Sequence, residues 1–317
     1  MLLTKKNVYE TVRSLTVILT VTFIATFAAR LHWIFDLFSH FPVYHVIGGI
    51  ALAPALFYFK KNKWALCTLL VAVLSMVKIC NYFYTHGTPV LSEKSGGEAL
   101  TVVQYNRLAI PRNHDNFKQW ITDNEAKFDV IVLQEANSGL ANAASELGHL
   151  YPFQIQEPRL HAFGMVILSK YPISDVEKIK TAGSFAAKFT IDYNKIPVRI
   201  YALHAQVPIL DIRNIELEMV TGLIAQDKSE NIIFMGDWNI TPYSPHFDDI
   251  LKTTGLQDNY IGYWPPSTWP SFIPINFLRL PIDHILYKGN LHLLEKEIGP
   301  AMGSDHHAVI ATFRVPG

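Results

Sequence analysis

Apolar positions along the chain fall into two regimes. Up to residue 84 they come in three long runs, 11–29, 42–59 and 64–82, each near the ~20 residues a helix needs to cross the hydrocarbon core of a bilayer. From residue 99 onward they come in short, β-branched runs at 100–103, 130–133, 165–168, 198–203, 232–235, 285–287 and 308–313. Polar stretches of helical pattern, such as 214–225, separate these runs. The first regime predicts an all-α region of three transmembrane helices, the second a many-stranded α/β domain. Between them, 85–98 is dense in turn formers and reads as a linker. The expected organisation is a three-span anchor over 1–84, a linker over 85–98 and a single large domain over 99–317. The middle apolar run is the weakest of the three, because Gly48, Gly49 and Pro54 interrupt it.

Charge sharpens this division. Of the 27 basic and 27 acidic residues, 1–88 holds eight Lys/Arg and two acids, which leaves 19 and 25 and a formal −6 for the remainder. Lys5, Lys6 and Arg13 flank the first run, and Lys60, Lys61 and Lys63 fill the turn between the second and third. Under the positive-inside rule both clusters are cytoplasmic, so three crossings deliver the large domain to the outside. Both cysteines, Cys67 and Cys80, lie in the third run. The large domain therefore has no disulfide, which is compatible with any redox compartment.

Candidate chemistry gathers where the short runs end. Polar residues just past a buried strand sit on a rigid element and face an open edge, where α/β proteins tend to place ligands. Six such endings occur: Tyr105-Asn106, Gln134-Glu135, His204, Asp237-Trp238-Asn239, Asp283-His284 and Asp305-His306. Together they offer hard oxygen ligands for Mg²⁺ and imidazoles for acid–base work or charge stabilisation. His284 and His307 alternate with these positions and are expected to face the other way.

Seven segments carry a family resemblance, in the family's order: Gln104-Tyr105-Asn106, Val132-Leu133-Gln134-Glu135, 167–173, Leu203-His204, 236–242, Ile282-Asp283-His284-Ile285 and Gly303-Ser304-Asp305-His306. In these the chain resembles the endonuclease/exonuclease/phosphatase superfamily across most of 99–314. The resemblance implies a DNase I-like, four-layer α-β-β-α sandwich and a metal-dependent phosphoesterase acting on an ester or phosphoric anhydride. It implies Glu135, Asn106 and Asp305 as the Mg²⁺ site, with Mn²⁺ as a substitute. It also implies Asp237 as the group that orients or deprotonates water, Asn239 and His204 on phosphate oxygens, and His306, oriented by Asp283, on the pentavalent phosphorus or leaving group. The chain departs from the family in having Ala205 after His204 and Arg107 after Asn106, and no acid bracing His204 is evident.

The combined pattern is similar to the VanJ group of bacterial membrane phosphatases linked to teicoplanin resistance. That similarity implies a multi-pass protein of the bacterial inner membrane, with a cytoplasmic N-terminus and an extracytoplasmic domain. It favours a lipid-linked (polyprenyl) phosphate as substrate. A Pro-interrupted apolar stretch, 264–281, precedes Asp283 and is expected to contribute Trp269, Phe272 and Phe277 to a substrate loop at the bilayer surface. The bilayer and a phosphorylated substrate are the expected partners; no protein partner is expected. Nucleic acid ranks lower, because duplex binding rests on Lys/Arg neutralising phosphates and the domain is acidic. An exported nuclease or phosphodiesterase, and then an inactive binding protein, are the alternative readings.

Overall fold

The computed structural model describes residues 4–88, 99–110, 113–261 and 265–315. Most of the expected linker, 89–98, and Trp264 lie outside the described residues. Two compact units result: one gathers Met1–Thr85 with Ile209–Asp211 and Thr241–Asp248, the other His86–Pro208, Ile212–Ile240 and Asp249–Gly317.

The helical unit contains α1 (Lys5–Ala25), α2 (Trp33–Ser39), α3 (Pro42–Tyr58) and α4 (Asn62–His86). Thr4 caps α1, its side chain accepting the Asn7 N–H at 3.2 Å, which satisfies one of the helix's orphan donors. Two helical stretches, Lys5–Ala28 and Asn62–His86, are long and apolar enough to cross a membrane. The expected middle span, 42–59, is a helix over Pro42–Tyr58, but Trp33–Ser39 precedes it at a 66° bend, and it adds a third crossing if that bent pair acts as one span. Pro42 starts α3 because its fixed φ and missing N–H suit a first helical turn. By itself this helix is 17 residues long, at the lower end of the lengths that cross a bilayer.

Gly48 and Gly49 do not break α3; they let neighbours approach. A Cβ on Gly49 would lie 2.4 Å from Thr68 O and 2.9 Å from Ala72 Cβ on α4, and one on Gly48 would lie 2.9 Å from Leu19 on α1. Small residues at such crossings allow the close backbone packing that holds helices together in lipid. At one end of the α1/α3 pair, Lys5 Nζ sits 5.1 Å from the Tyr58 ring and Lys61 Nζ 5.4 Å from the Tyr9 ring. At the other end His45 Nε2 lies 3.2 Å from Thr22 Oγ1. The two helices are therefore antiparallel.

The loop segment Thr241–Asp248 belongs to this unit through polar contacts. The Thr241 N–H donates to His40 Nδ1 at 3.3 Å, Ser244 Oγ donates to Asp36 Oδ1 at 2.7 Å, and Arg30 donates to Pro245 O at 3.0 Å.

The second unit is built on strands. In chain order they are β1 (Gly87–Thr88), β2 (Ala99–Asn106), β3 (Val130–Gln134), β4 (Phe153–Glu157), β5 (Met165–Ser169), β6 (Ile173–Lys180), β7 (Phe185–Tyr193), β8 (Ile196–Leu203), β9 (Asn231–Asp237), β10 (Tyr260–Ile261), β11 (Asp283–Lys288), β12 (His292–Ile298) and β13 (Val309–Arg314). One sheet runs β12-β13-β2-β3-β5-β4, a second β11-β9-β8-β7-β6, and β1 pairs with β10. β2/β3 and β8/β9 are parallel; the other pairs in the two large sheets are antiparallel.

The sheets share one core. Leu100, Val102, Val130, Val132 and Ile167 from the first meet Phe189, Val198, Ile200, Ile233, Met235 and Ile285 from the second, and each fully buried side chain of this size contributes about 1.5–3 kcal/mol. The alternate residues of the first sheet, Val103, Tyr105, Ile131 and Leu133, face α5 (Asp115–Asp123) and α6 (Ser138–Glu146) through Phe117, Ile121 and Leu140. On the outer face of the second sheet, Lys288 Nζ donates to Ile224 O at the end of α7 (Ile212–Gln226) and to Thr254 O at the end of α8 (Pro245–Thr254). This is an α/β fold of two packed sheets with helices on their outer faces.

A Gly49→Leu substitution should lower the thermal midpoint of the detergent-solubilised protein, since overpacking of this kind costs about 1–3 kcal/mol. An unchanged midpoint would contradict the close α3/α4 crossing.

Candidate functional site

Side chains alternate across a strand with period two, and that period builds the site. The inward positions Leu100 and Val102 on β2, Val130 and Val132 on β3, Ile200 and Ala202 on β8, and Ile233 and Met235 on β9 all belong to the inter-sheet core. Continued by the same step, the alternation arrives at Gln104 and Asn106, Gln134, His204 and Asp237. Across the ladders Asn106 is the register partner of Gln134, and Asp283 of Asp237. One end of the apolar core is thus closed by a polar layer drawn from both sheets.

Two buried glutamines tie that layer together. Gln104 Nε2 donates to Gln134 Oε1 and to Asp283 Oδ1, both at 2.9 Å. Gln134 Oε1 also accepts the Asp237 N–H at 2.8 Å, and its Nε2 donates to Leu203 O at 2.8 Å. Gly236 makes the approach possible: its φ is +148°, and a Cβ there would fall 1.9 Å from Leu203 O, a conformation and a clearance only glycine accepts.

Asp237 is the hub. Its Oδ2 accepts from Asn106 Nδ2 at 2.9 Å, and the Nε2 atoms of His204 and His306 lie 3.7 and 3.6 Å away. His306 Nδ1 donates to Asp283 Oδ2 at 2.8 Å, and Thr268 Oγ1 donates to the same oxygen. His204 is oriented from behind, its Nδ1 donating to Ala162 O at 3.0 Å. Asn239, at φ +51°, takes its N–H to Asp237 Oδ1 at 3.0 Å and its Nδ2 to Ala205 O at 3.0 Å.

Burial and charge set the proton affinities. Burial raises the Asp237 pKa, and the neighbouring Asp283 carboxylate adds to the rise. Burial would raise Asp283 too, but His306 with its hydrogen bond, Thr268 and Gln104 outweigh it and lower the pKa. Burial would lower His306, yet Asp283 and Asp237 hold its pKa up at about 10. Ligand-type atoms of Asp237, Asp283 and His306 all lie within 4.8 Å of one another. The three are linked as an ion-paired relay, His306 Nδ1 bonded to Asp283 and its Nε2 3.6 Å from Asp237.

Metal-type oxygens lie beside it. Glu135, at φ +55°, receives Asn106 Nδ2 on Oε1 at 3.0 Å and the Ala109 N–H on Oε2 at 2.8 Å. Asp305 takes the Trp269 indole N–H on Oδ2 at 3.2 Å, while its Oδ1 is buried with no protein partner. That orphaned oxygen fits a divalent cation, which prefers carboxylate ligands. Asn106 stands differently: its NH₂ bridges Glu135 and Asp237, and its Oδ1 accepts the Leu108 N–H at 3.0 Å. It braces two carboxylates instead of presenting an oxygen.

Of the expected substrate loop, Trp269 is half-buried against Asp305, whereas Phe272 is 80% and Phe277 46% exposed. His284 faces the outer side, stacked on Trp238 and 2.8 Å from Ile240 O.

Several supporting residues escape sequence reading. Gln104 and Gln134 carried a usable signal, a polar residue in phase with apolar core positions. Arg213, which donates to Asn239 O at 2.9 Å, and Glu216, buried and accepting from Thr181, Gly183, Ser184 and Gln206, come from a helix whose sequence gave no such cue.

Known proteins bear on this geometry. No curated protein sequence is significantly similar to the chain. Among solved structures, an endonuclease/exonuclease/phosphatase family protein from Leptotrichia buccalis aligns at a TM-score of 0.55 and 16% identity, covering 68% of this chain and all of its own. D. rerio TDP2 in complex with a single strand DNA product aligns at 0.54 and 15%, covering 69% of this chain and 100% of that one. Staphylococcus aureus beta toxin aligns at 0.50 and 20%, covering 67% and 99%. At these identities the likeness is one of fold. The sequence profile of the endonuclease/exonuclease/phosphatase family matches residues 97–306, and the chain belongs to that family of phosphoester hydrolases.

Proposed function

We propose that this protein is a membrane-anchored, Mg²⁺-dependent phosphoesterase acting on a lipid-linked phosphate. The observation that carries the hydrolytic part is the Asp237 hub, a buried carboxylate of raised pKa between two imidazoles and joined to Glu135 through Asn106. Glu135 and Asp305 would hold the cation, which supplies positive charge to phosphoryl oxygens. Asp237 takes the proton of the attacking water, helped by its raised affinity for it. His306, kept cationic by Asp283, stabilises charge on the transferring phosphoryl group and gives a proton to the leaving oxygen. His204 Nε2 and the remaining Asn239 N–H bind further phosphate oxygens.

The lipid part rests on the apolar helices and on exposed Phe272, Ile275 and Phe277 before Asp283. An amphipathic surface of that kind suits the bilayer interface. Three crossings are supported by the antiparallel α1/α3 pair, whose contacts bring the Lys5 and Lys61 ends together. With both basic clusters cytoplasmic, α4 then ends outside, as in the VanJ-like membrane type. The competing reading, an exported nuclease or phosphodiesterase, draws on the likeness to TDP2 bound to a DNA product. The formal −6 after residue 88 weighs against it.

Glu135→Ala and His306→Ala should each lose on the order of 10²–10³-fold in turnover of polyprenyl pyrophosphate with folding intact, and EDTA should abolish wild-type activity. Hydrolysis of DNA alone would overturn the lipid reading.

The double substitution Phe272→Ser, Phe277→Ser should cut turnover of the long-chain phosphate about tenfold while sparing a short, water-soluble one. Equal losses on both would remove the loop's role.

His306 also predicts a pH dependence. Its folded pKa of about 10 exceeds the ordinary 6.5, so its contribution to stability is full below 6.5 and disappears as pH rises through 10. In chelator, the thermal-midpoint gap between wild type and His306→Gln should narrow across that window; a constant gap would argue against the imidazolium.

A further inference from the structure

Within the helical unit lies a cavity of about 420 Å³, separate from every residue of the catalytic layer. Phe23 and Phe27 form one wall, His45 closes another, and the α4 face carrying Leu74, Ser75 and Lys78 forms the third. Its volume is that of an ordinary ligand pocket.

Two features of the α4 face point to a ligand. Ser75 is 2% exposed, and its hydroxyl has no hydrogen-bond partner. Hydroxyls on apolar helices usually donate back to a carbonyl one turn earlier; Thr16 and Thr20 do so to Val12 and Thr16. Ser75 keeps its donor for the cavity it lines. Three residues on, on the same face, stands Lys78, the one Lys or Arg of α4 after Lys63. Asn81 continues the stripe by another three residues. Of the other polar groups of the wall, Ser39 Oγ donates to Asp36, Thr26 Oγ1 donates to Phe23 O and His45 contacts Thr22, while Lys78 feels the charges of Asp36 and Asp248. Beside this stripe the surface of α4 is apolar and exposed at Val73, Met76 and Val77.

A cation with hydroxyl and amide donors, set over aromatic and aliphatic walls in a helix bundle, matches one kind of molecule: an anionic head attached to hydrocarbon. We propose that this cavity binds a membrane lipid through its phosphate headgroup, with Lys78 and Ser75 on the phosphate oxygens and the chain along Leu74 and Val77. The site rests on reading the helices as membrane-embedded, and it adds a lipid position to the helical unit, apart from the hydrolytic site.

The test uses the full chain in nanodiscs of phosphatidylcholine doped with phosphatidic acid, with bound lipid counted by native mass spectrometry. Wild type should retain phosphatidic acid selectively. Lys78→Leu should reduce that retention at least about tenfold, Lys78→Arg should keep most of it, and Ser75→Leu, which fills the cavity without changing charge, should also lose it. Millimolar inorganic phosphate should not displace the lipid. Equal retention by wild type, Lys78→Leu and Ser75→Leu, or displacement by inorganic phosphate, overturns the site. Alkaline carbonate extraction is scored in parallel: release of the chain sinks the membrane reading itself, whereas a retained chain without lipid selectivity sinks only this inference.

Discussion

Two carboxylates buried at the end of an apolar core are costly unless each is paired and hydrogen-bonded. Asp237 and Asp283 are 1% and 2% exposed and sit opposite each other in an antiparallel ladder. Gln104, Asn106, Thr268 and His306 all turn donors toward this pair, and Gln134 accepts the Asp237 N–H. Because Gln104 and Asn106 stand on β2 of one sheet while the acids stand on β9 and β11 of the other, the layer that compensates the acids also ties the two sheets together at this end of the core.

That arrangement separates two otherwise equivalent acids. Asp283, bonded to a cationic imidazole, is held ionised, while Asp237, facing a second carboxylate and farther from any formal cation, binds its proton more tightly. Environments that push paired acids apart are how one fold obtains a base and an orienting group from the same residue type. Glu135 and Asp305 stand outside the relay, with Asn106 linking Glu135 to Asp237. A change at Glu135 is therefore two hydrogen bonds, both from the Asn106 amide, away from the hub.

The helical unit follows another logic. Its helices approach one another through small residues, which allow backbones to come close. Gly48 and Gly49, which interrupt the apolar run, are where α3 meets its neighbours most closely. The same unit takes in Thr241–Asp248, the continuation of the Gly236-Asp237-Trp238-Asn239 motif, by polar contacts to Asp36 and His40.

Much of this was readable along the chain. Strand-end motifs identified the family and marked Asp237, His306 and Glu135 as candidates, because polar groups just past strand ends are bound to short local patterns. Apolar run lengths marked three stretches, two of which are helices long and apolar enough to cross a membrane. The bend between α2 and α3 was not legible, since Pro42 at a helix start reads the same whether the preceding residues continue or turn. The parts played by Gln104, Gln134, Arg213 and Glu216 were not legible either, because a buried polar side chain acquires its role from partners far off in sequence. The chain by itself determined which residue types end each strand and the period that points them inward. Only the tertiary structure decided which of them meet, since pairing two sheets face to face sets distances that no local spacing contains.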